Sequence, residues 1–178
     1  MKNVIVVVAI ACLSVPATGD TQDWAYQVVE NIPPSEIDIH APRTVPGSTR
    51  SYTQQEIDDD WNPPDWFPDD HAPLPQAVAH GPEEVRGCAA CHLTSGMGHP
   101  ESAQLAGLPV EYFMRQMVDF RSGARKDRYW MNGFAQALSD EDAREVAEYY
   151  AAIEPIDWVE LIEADTVPRS YIGDGRMR

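Results

Sequence analysis

Ten of the fifteen prolines fall between Pro33 and Pro82, whereas the chain from Val110 to Glu154 has none. Proline fixes φ and lacks a backbone N–H, so the first stretch can hold neither a long helix nor a central strand. Helical structure must therefore come later. The division predicts a proline-rich irregular extension over residues 20–73, a helical domain over 74–154 and a tail over 155–178. One short helix is expected inside the extension, because Thr53 and Glu56 form a capping box ahead of Ile57 and Trp61. Trp61, Trp66 and Phe67 are interleaved with seven acids between Glu56 and Asp70. Aromatic residues among prolines predict a segment that wraps the domain; the simplest role for its acids is solvation.

Periodicity supports an all-α domain. Val110, Phe113, Met114, Met117 and Phe120 follow helical spacing, with Pro109 suited to the first turn and Gly123 to the stop. Ser139 is placed to cap a second helix whose first turn is Asp140, Glu141 and Asp142. Its apolar positions are Ala143, Val146, Ala147, Tyr150 and Ile153, and Pro155 ends it. Residues 82–91 are expected to form a short helix. The tail holds Trp158, Val159, Leu161, Ile162 and Val167, which suit an edge strand or irregular packing.

Lys2 followed by the apolar run 4–13 and small residues near Gly19 has the layout of a secretory signal over residues 1–19. A retained anchor and a lipid-modified Cys12 are the lesser readings. The formal net charge is −16, and loss of Lys2 with the signal makes it −17. Such a surface repels phosphate backbones, which argues against nucleic-acid binding. It also favours a partner protein with a basic docking face. Beyond the signal no apolar run reaches the ~20 residues needed to span a bilayer.

Two cysteines remain, Cys88 and Cys91, and His92 follows directly. A disulfide between them would close too small a loop to constrain the unfolded chain. A zinc site needs further ligands that no second cysteine pair supplies. A thioredoxin-like pair belongs beside a βαβ pattern, which is not visible here. Cys-x-x-Cys-His is instead the attachment signature of haem c. Two thiols on one helical turn reach the two vinyl groups of a porphyrin edge, and His92 is delivered to the iron as an axial ligand. The expected sixth ligand is Met131, on a loop before the Ser139 helix, giving the His/Met pair that raises reduction potential. Met114 and Met117 suit core packing, Met97 is too near His92 in sequence, and His71, His80 and His99 are the bis-His alternatives.

These residues resemble class I cytochromes c, and within them one haem domain of the two-domain dihaem periplasmic cytochromes. The likeness rests on Gly87 to His92, Leu105-Ala106-Gly107-Leu108, the Tyr112, Gln116, Asp119, Phe120, Gly123, Arg125 pattern and Leu138 to Asp142. It also includes Ala147 with Tyr149, and covers residues 74–154. It implies a small helical domain around one covalent haem held by Cys88, Cys91, His92 and Met131. The stretch Pro63 to Trp66, followed by His71 to Pro75, resembles a subgroup in which a second haem domain follows the tail. This chain stops at Arg178, which leaves a one-haem variant or a truncated chain. The function implied is a periplasmic electron carrier, not an enzyme, passing single electrons to a redox partner. The alternatives are a haem subunit docked on a membrane dehydrogenase or oxidase, and a peroxidase or gas-binding domain with an open sixth site served by His99 or Arg125.

Overall fold

The computed structural model describes residues 38–82, 85–99, 102–127, 129–158 and 160–166. The expected signal, the first part of the extension and the end of the tail lie outside them. In chain order the elements are β1 (Pro42–Arg43), β2 (Tyr52–Thr53), α1 (Gln54–Ile57), α2 (Gln76–Ala79), α3 (Ala89–His92), α4 (Val110–Ser122), α5 (Met131–Ala137) and α6 (Asp140–Ala151).

The core lies where α4 meets α5 and α6, with α2 against α6. In α4, Phe113, Met117 and Phe120 are buried, while Val110 and Met114 pack at their edge. Pro109 stands just before the helix, extended at φ −58° and ψ 134°, and not within its first turn. Gly123 ends α4 in the left-handed region at φ 77°, where a side chain would be strained. In α6 the Ser139 hydroxyl accepts the Asp142 N–H at 3.0 Å. Ala143, Val146, Ala147 and Tyr150 are almost wholly buried, as the spacing predicts, and Tyr149 joins them.

Both tyrosines reach across to the chain that follows α3. Tyr149 donates its hydroxyl to the Thr94 carbonyl at 2.8 Å, and Tyr150 donates to Leu93 at 3.0 Å. Burial pushes the Tyr150 hydroxyl well above its ordinary pKa, so it stays a donor. Gly96 sits under this contact: a Cβ there would come within 2.6 Å of Tyr150 Cδ1, and its φ is +68°.

Two further expectations change. The helix sought over 82–91 is confined to α3: residues 85–87 are not helical, and Gly81 just ahead of the range lies in the left-handed region at φ +59°. A Cβ on Gly87 would stand 2.7 Å from the Val78 carbonyl oxygen, so the two segments touch backbone to backbone. Met131 opens a helix, α5, and does not lie on a loop. Of the two readings of the tail, the described residues follow the irregular one: Trp158 donates its indole N–H to the Met97 carbonyl at 3.3 Å, while Leu161 and Ile162 stay exposed. Val159 and Val167 lie outside the described residues.

The described part of the extension is folded. β1 and β2 pair antiparallel, with Pro42 opposite Thr53 and Arg43 opposite Tyr52. The Thr53–Glu56 capping box is formed. Tyr52 packs edge-on against Trp66 and donates its hydroxyl to the Asp65 carbonyl at 2.8 Å. His71 binds Asp65 at 3.1 Å, and its ring meets that of Tyr149 edge-on.

Tyr150→Phe removes one buried hydrogen bond and should cost about 1 kcal/mol. Tyr150→Ala leaves a cavity and should cost about 3–5 kcal/mol. Urea unfolding ranks them. A Phe variant as stable as the wild type would show that the Leu93 bond contributes nothing net.

Candidate functional site

α3 is a single turn, and that turn carries Cys88 at its N-terminal edge and Cys91 and His92 within it. The Cys88 N–H donates to the Ala77 carbonyl at 3.0 Å, which ties the turn to α2. Cys91 and His92 donate their N–H groups to the Cys88 carbonyl. The two cysteines are not joined in a disulfide, and burial pushes the Cys88 thiol up to about 12. Such a thiol is not a solvent-reactive thiolate. His92 lies against the Ala103 carbonyl, with Nδ1 2.7 Å from the oxygen. Nδ1 is therefore the donor, which leaves Nε2 as the ring's lone-pair nitrogen. Burial holds the His92 pKa below its usual value, so the ring is neutral.

These residues line a cavity of about 410 Å³. Its apolar wall includes Phe113, Met117 and Phe120 from α4 and Phe134 from α5, with Leu105 and Leu138 beyond. Met131 lines the same cavity. The four residues read from the sequence, Cys88, Cys91, His92 and Met131, are thus brought to one chamber. Met117 also lines it, while packed in the core.

The alternative ligands lie elsewhere. His71 pairs with Asp65, and His80 is exposed at the end of α2. His99 is buried beside a smaller cavity of about 200 Å³ that Met97 also lines, with its Nε2 3.3 Å from the Ser102 hydroxyl. Arg125 does line the large cavity; its guanidinium bonds Gln116 at 2.5 Å and stands 4.5 Å from the Phe120 ring centre.

Sequence reading missed Asp127. Its Oδ2 accepts three successive backbone N–H groups, from Tyr129 (3.0 Å), Trp130 (2.5 Å) and Met131 (3.1 Å). Asn132 answers it: its Oδ1 accepts the Asp127 N–H at 2.7 Å, while its Nδ2 donates to the carbonyls of Phe120 and Arg125. This clamp supplies the first turn of α5, which its own residues, with Gly133 inside, would form poorly. The signal is hard to find in sequence because Asp127 lies three residues before the helix's cap position, Trp130.

Paired thiols on one turn beside a neutral imidazole, in a chamber with an aromatic wall, suit the chemistry of a c-type haem. The fold and the chamber are those of a class I cytochrome c domain. Sequence comparison agrees. Over 80 residues the chain is 37% identical to cytochrome c-554(548) of Halomonas halodenitrificans, spanning 43% of this chain and 96% of that protein. It is 39% identical over 83 residues to a thiosulfate dehydrogenase electron acceptor of Thiomonas intermedia, spanning 46% of this chain and 38% of that one. With cytochrome c4 of Azotobacter vinelandii it shares 33% over 89 residues, 42% of each. No family model matches the chain. The chain belongs to the class I c-type cytochromes, whose cofactor is covalently bound haem c, and it spans well under half the length of the acceptor and of cytochrome c4.

Asp127 gives the site a pH dependence. Burial alone would raise its pKa, but the three N–H donors, aided by Arg125, hold it below the ordinary 3.8. A depressed carboxylate adds stability that is complete above the unfolded value and is lost as pH falls through the folded one. Asp127→Asn keeps an acceptor oxygen without the charge. Its stability should be lower at neutral pH and fall less steeply in acid than that of the wild type, as followed by circular dichroism. Equal acid slopes would show that the charge does not support the turn.

Proposed function

We propose that this chain is an exported electron carrier with one haem, attached through Cys88 and Cys91 and ligated by His92 and Met131. The observation that carries the reading is the meeting of all four residues on one chamber. The single Cys-x-x-Cys-His in the chain supports one haem. The chain's own residues then divide the work. The two thiols anchor the group, and Ala103 fixes the His92 tautomer through Nδ1. The aromatic wall excludes water, which keeps reorganisation small when charge changes. The haem itself supplies the one-electron couple, and the His/Met set favours a raised potential.

Export to the periplasm is supported by the signal-like residues 1–19, and among the described residues no helix is long and apolar enough to cross a membrane. The partner is a redox protein. The relative named as an electron acceptor of thiosulfate dehydrogenase supports a dehydrogenase as electron donor. The net charge supports a basic docking face on that partner.

Haem staining after denaturing electrophoresis should mark the wild-type chain, and Cys88→Ala with Cys91→Ala should abolish the stain. Unstained wild-type protein from a host with working haem-attachment machinery would overturn covalent binding. Met131→Ala should lose the weak sulfur-to-iron band at the red edge of the oxidised spectrum and lower the reduction potential. An unchanged spectrum and potential would remove Met131 as the ligand.

A further inference from the structure

None of the extension's described residues lines the chamber, yet one of its acids reaches the chamber wall. Asp60 Oδ2 lies 2.6 Å from Arg86 Nη1, with the two side chains only 26% and 24% exposed. The same guanidinium carbon stands 4.4 Å from the ring centre of Trp130. Arg86, Trp130, Cys88 and Met131 all line the chamber. Arg86 is two residues before Cys88, and Trp130 is the residue before Met131. One guanidinium therefore touches the extension, the attachment loop and the turn that carries Met131.

We propose that Asp60, Arg86 and Trp130 form a brace through which the extension holds the Met131 turn against the attachment loop. Asp60 and Arg86 are positioning residues that slow the departure of Met131 from the iron. This rests on the reading of Met131 as sixth ligand given above. A guanidinium stacked on an indole is partly stripped of water, so its remaining donors need a counter-charge, and Asp60 provides it. Once the carboxylate is neutral, the half-buried cation loses its compensation and the stack on Trp130 loosens. Trp130 caps α5, so its displacement passes directly to Met131.

Asp60 is itself held in place. Asp59 closes the turn around it by accepting the Trp61 N–H and the Asn62 side-chain N–H, each at 2.9 Å. A second attachment of the extension, His71 against Tyr149, fixes it to α6. The strap is thus anchored on both the core and the rim of the chamber. Solvation alone does not account for an acid three-quarters buried against a cation.

The test uses the oxidised, haem-loaded protein with imidazole as the competing ligand, followed by loss of the sulfur-to-iron band. Asp60→Asn should admit imidazole on the order of fivefold faster than the wild type. Arg86→Gln should do the same, and the double variant should be no faster than either single one. Asp69→Asn makes the same charge change at an exposed acid and should match the wild type. Asp60→Asn indistinguishable from Asp69→Asn overturns the brace, as does a double variant whose effects simply add. So does a lowered unfolding midpoint with native exchange unchanged. Met131→Ala separates the two readings: if it loses the band while Asp60→Asn exchanges normally, only the brace fails. If it keeps the band, the ligand assignment fails and the brace with it.

Discussion

The hydroxyl of Tyr150, buried on α6 and donating to the Leu93 carbonyl, is the contact on which the arrangement of this molecule depends. α6 is a long capped helix that can form early from local signals. The turn bearing Cys88, Cys91 and His92 is four residues long and could not hold itself. Tyr149 and Tyr150 fasten the chain leaving that turn, and the Ala77 carbonyl fastens the residue that enters it. The chemistry-bearing turn is thus rigid because it is gripped at both ends by other elements.

The opposite side of the chamber solves a different problem. α5 is short, contains Gly133, and starts at Met131, which lines the chamber. A helix that poor in intrinsic propensity needs its first N–H groups satisfied from outside. Asp127 does this from before the cap, and Asn132 returns the bond and ties the loop to the end of α4. The polar groups around the chamber are thereby spent on one another. Arg125 bonds Gln116, and Arg121 bonds the Ala135 and Leu138 carbonyls as well as Asp140. The interior that remains is apolar and aromatic, which suits a group that must change charge without drawing in water.

The extension is built on different terms from the helical domain. Prolines keep it from joining the helical core, yet its aromatic and acidic residues close on one another and on the domain. Tyr52 packs on Trp66, and His71 pairs with Asp65. Burial lowers the His71 pKa, but its bonds to the Ala72 carbonyl and Asp65 more than offset that and raise it overall. A raised histidine stabilises below its unfolded pKa and loses that contribution as pH rises through the folded value. The bonds that raise it lie within the strap, so this part of the strap is firmest below the ordinary histidine range.

The residues proposed to hold the haem are legible in the amino-acid order because covalent attachment demands neighbours: two thiols three apart and an adjacent imidazole. The α4 stripe, its glycine stop and the Ser139 cap were legible for the same reason, since each is set within a few residues. Met131 was found through a family spacing, but its helix was not, because α5 owes its first turn to a carboxylate outside it. The helix expected over 82–91 is cut back to α3, and at Gly87 the backbone packs directly on that of α2. Nor could the order of residues show that Asp60 meets Arg86, or that Tyr149 and Tyr150 reach Thr94 and Leu93. Those contacts join positions far apart in the chain, and only the packing of α4, α5 and α6 decides which distant groups come within bonding distance.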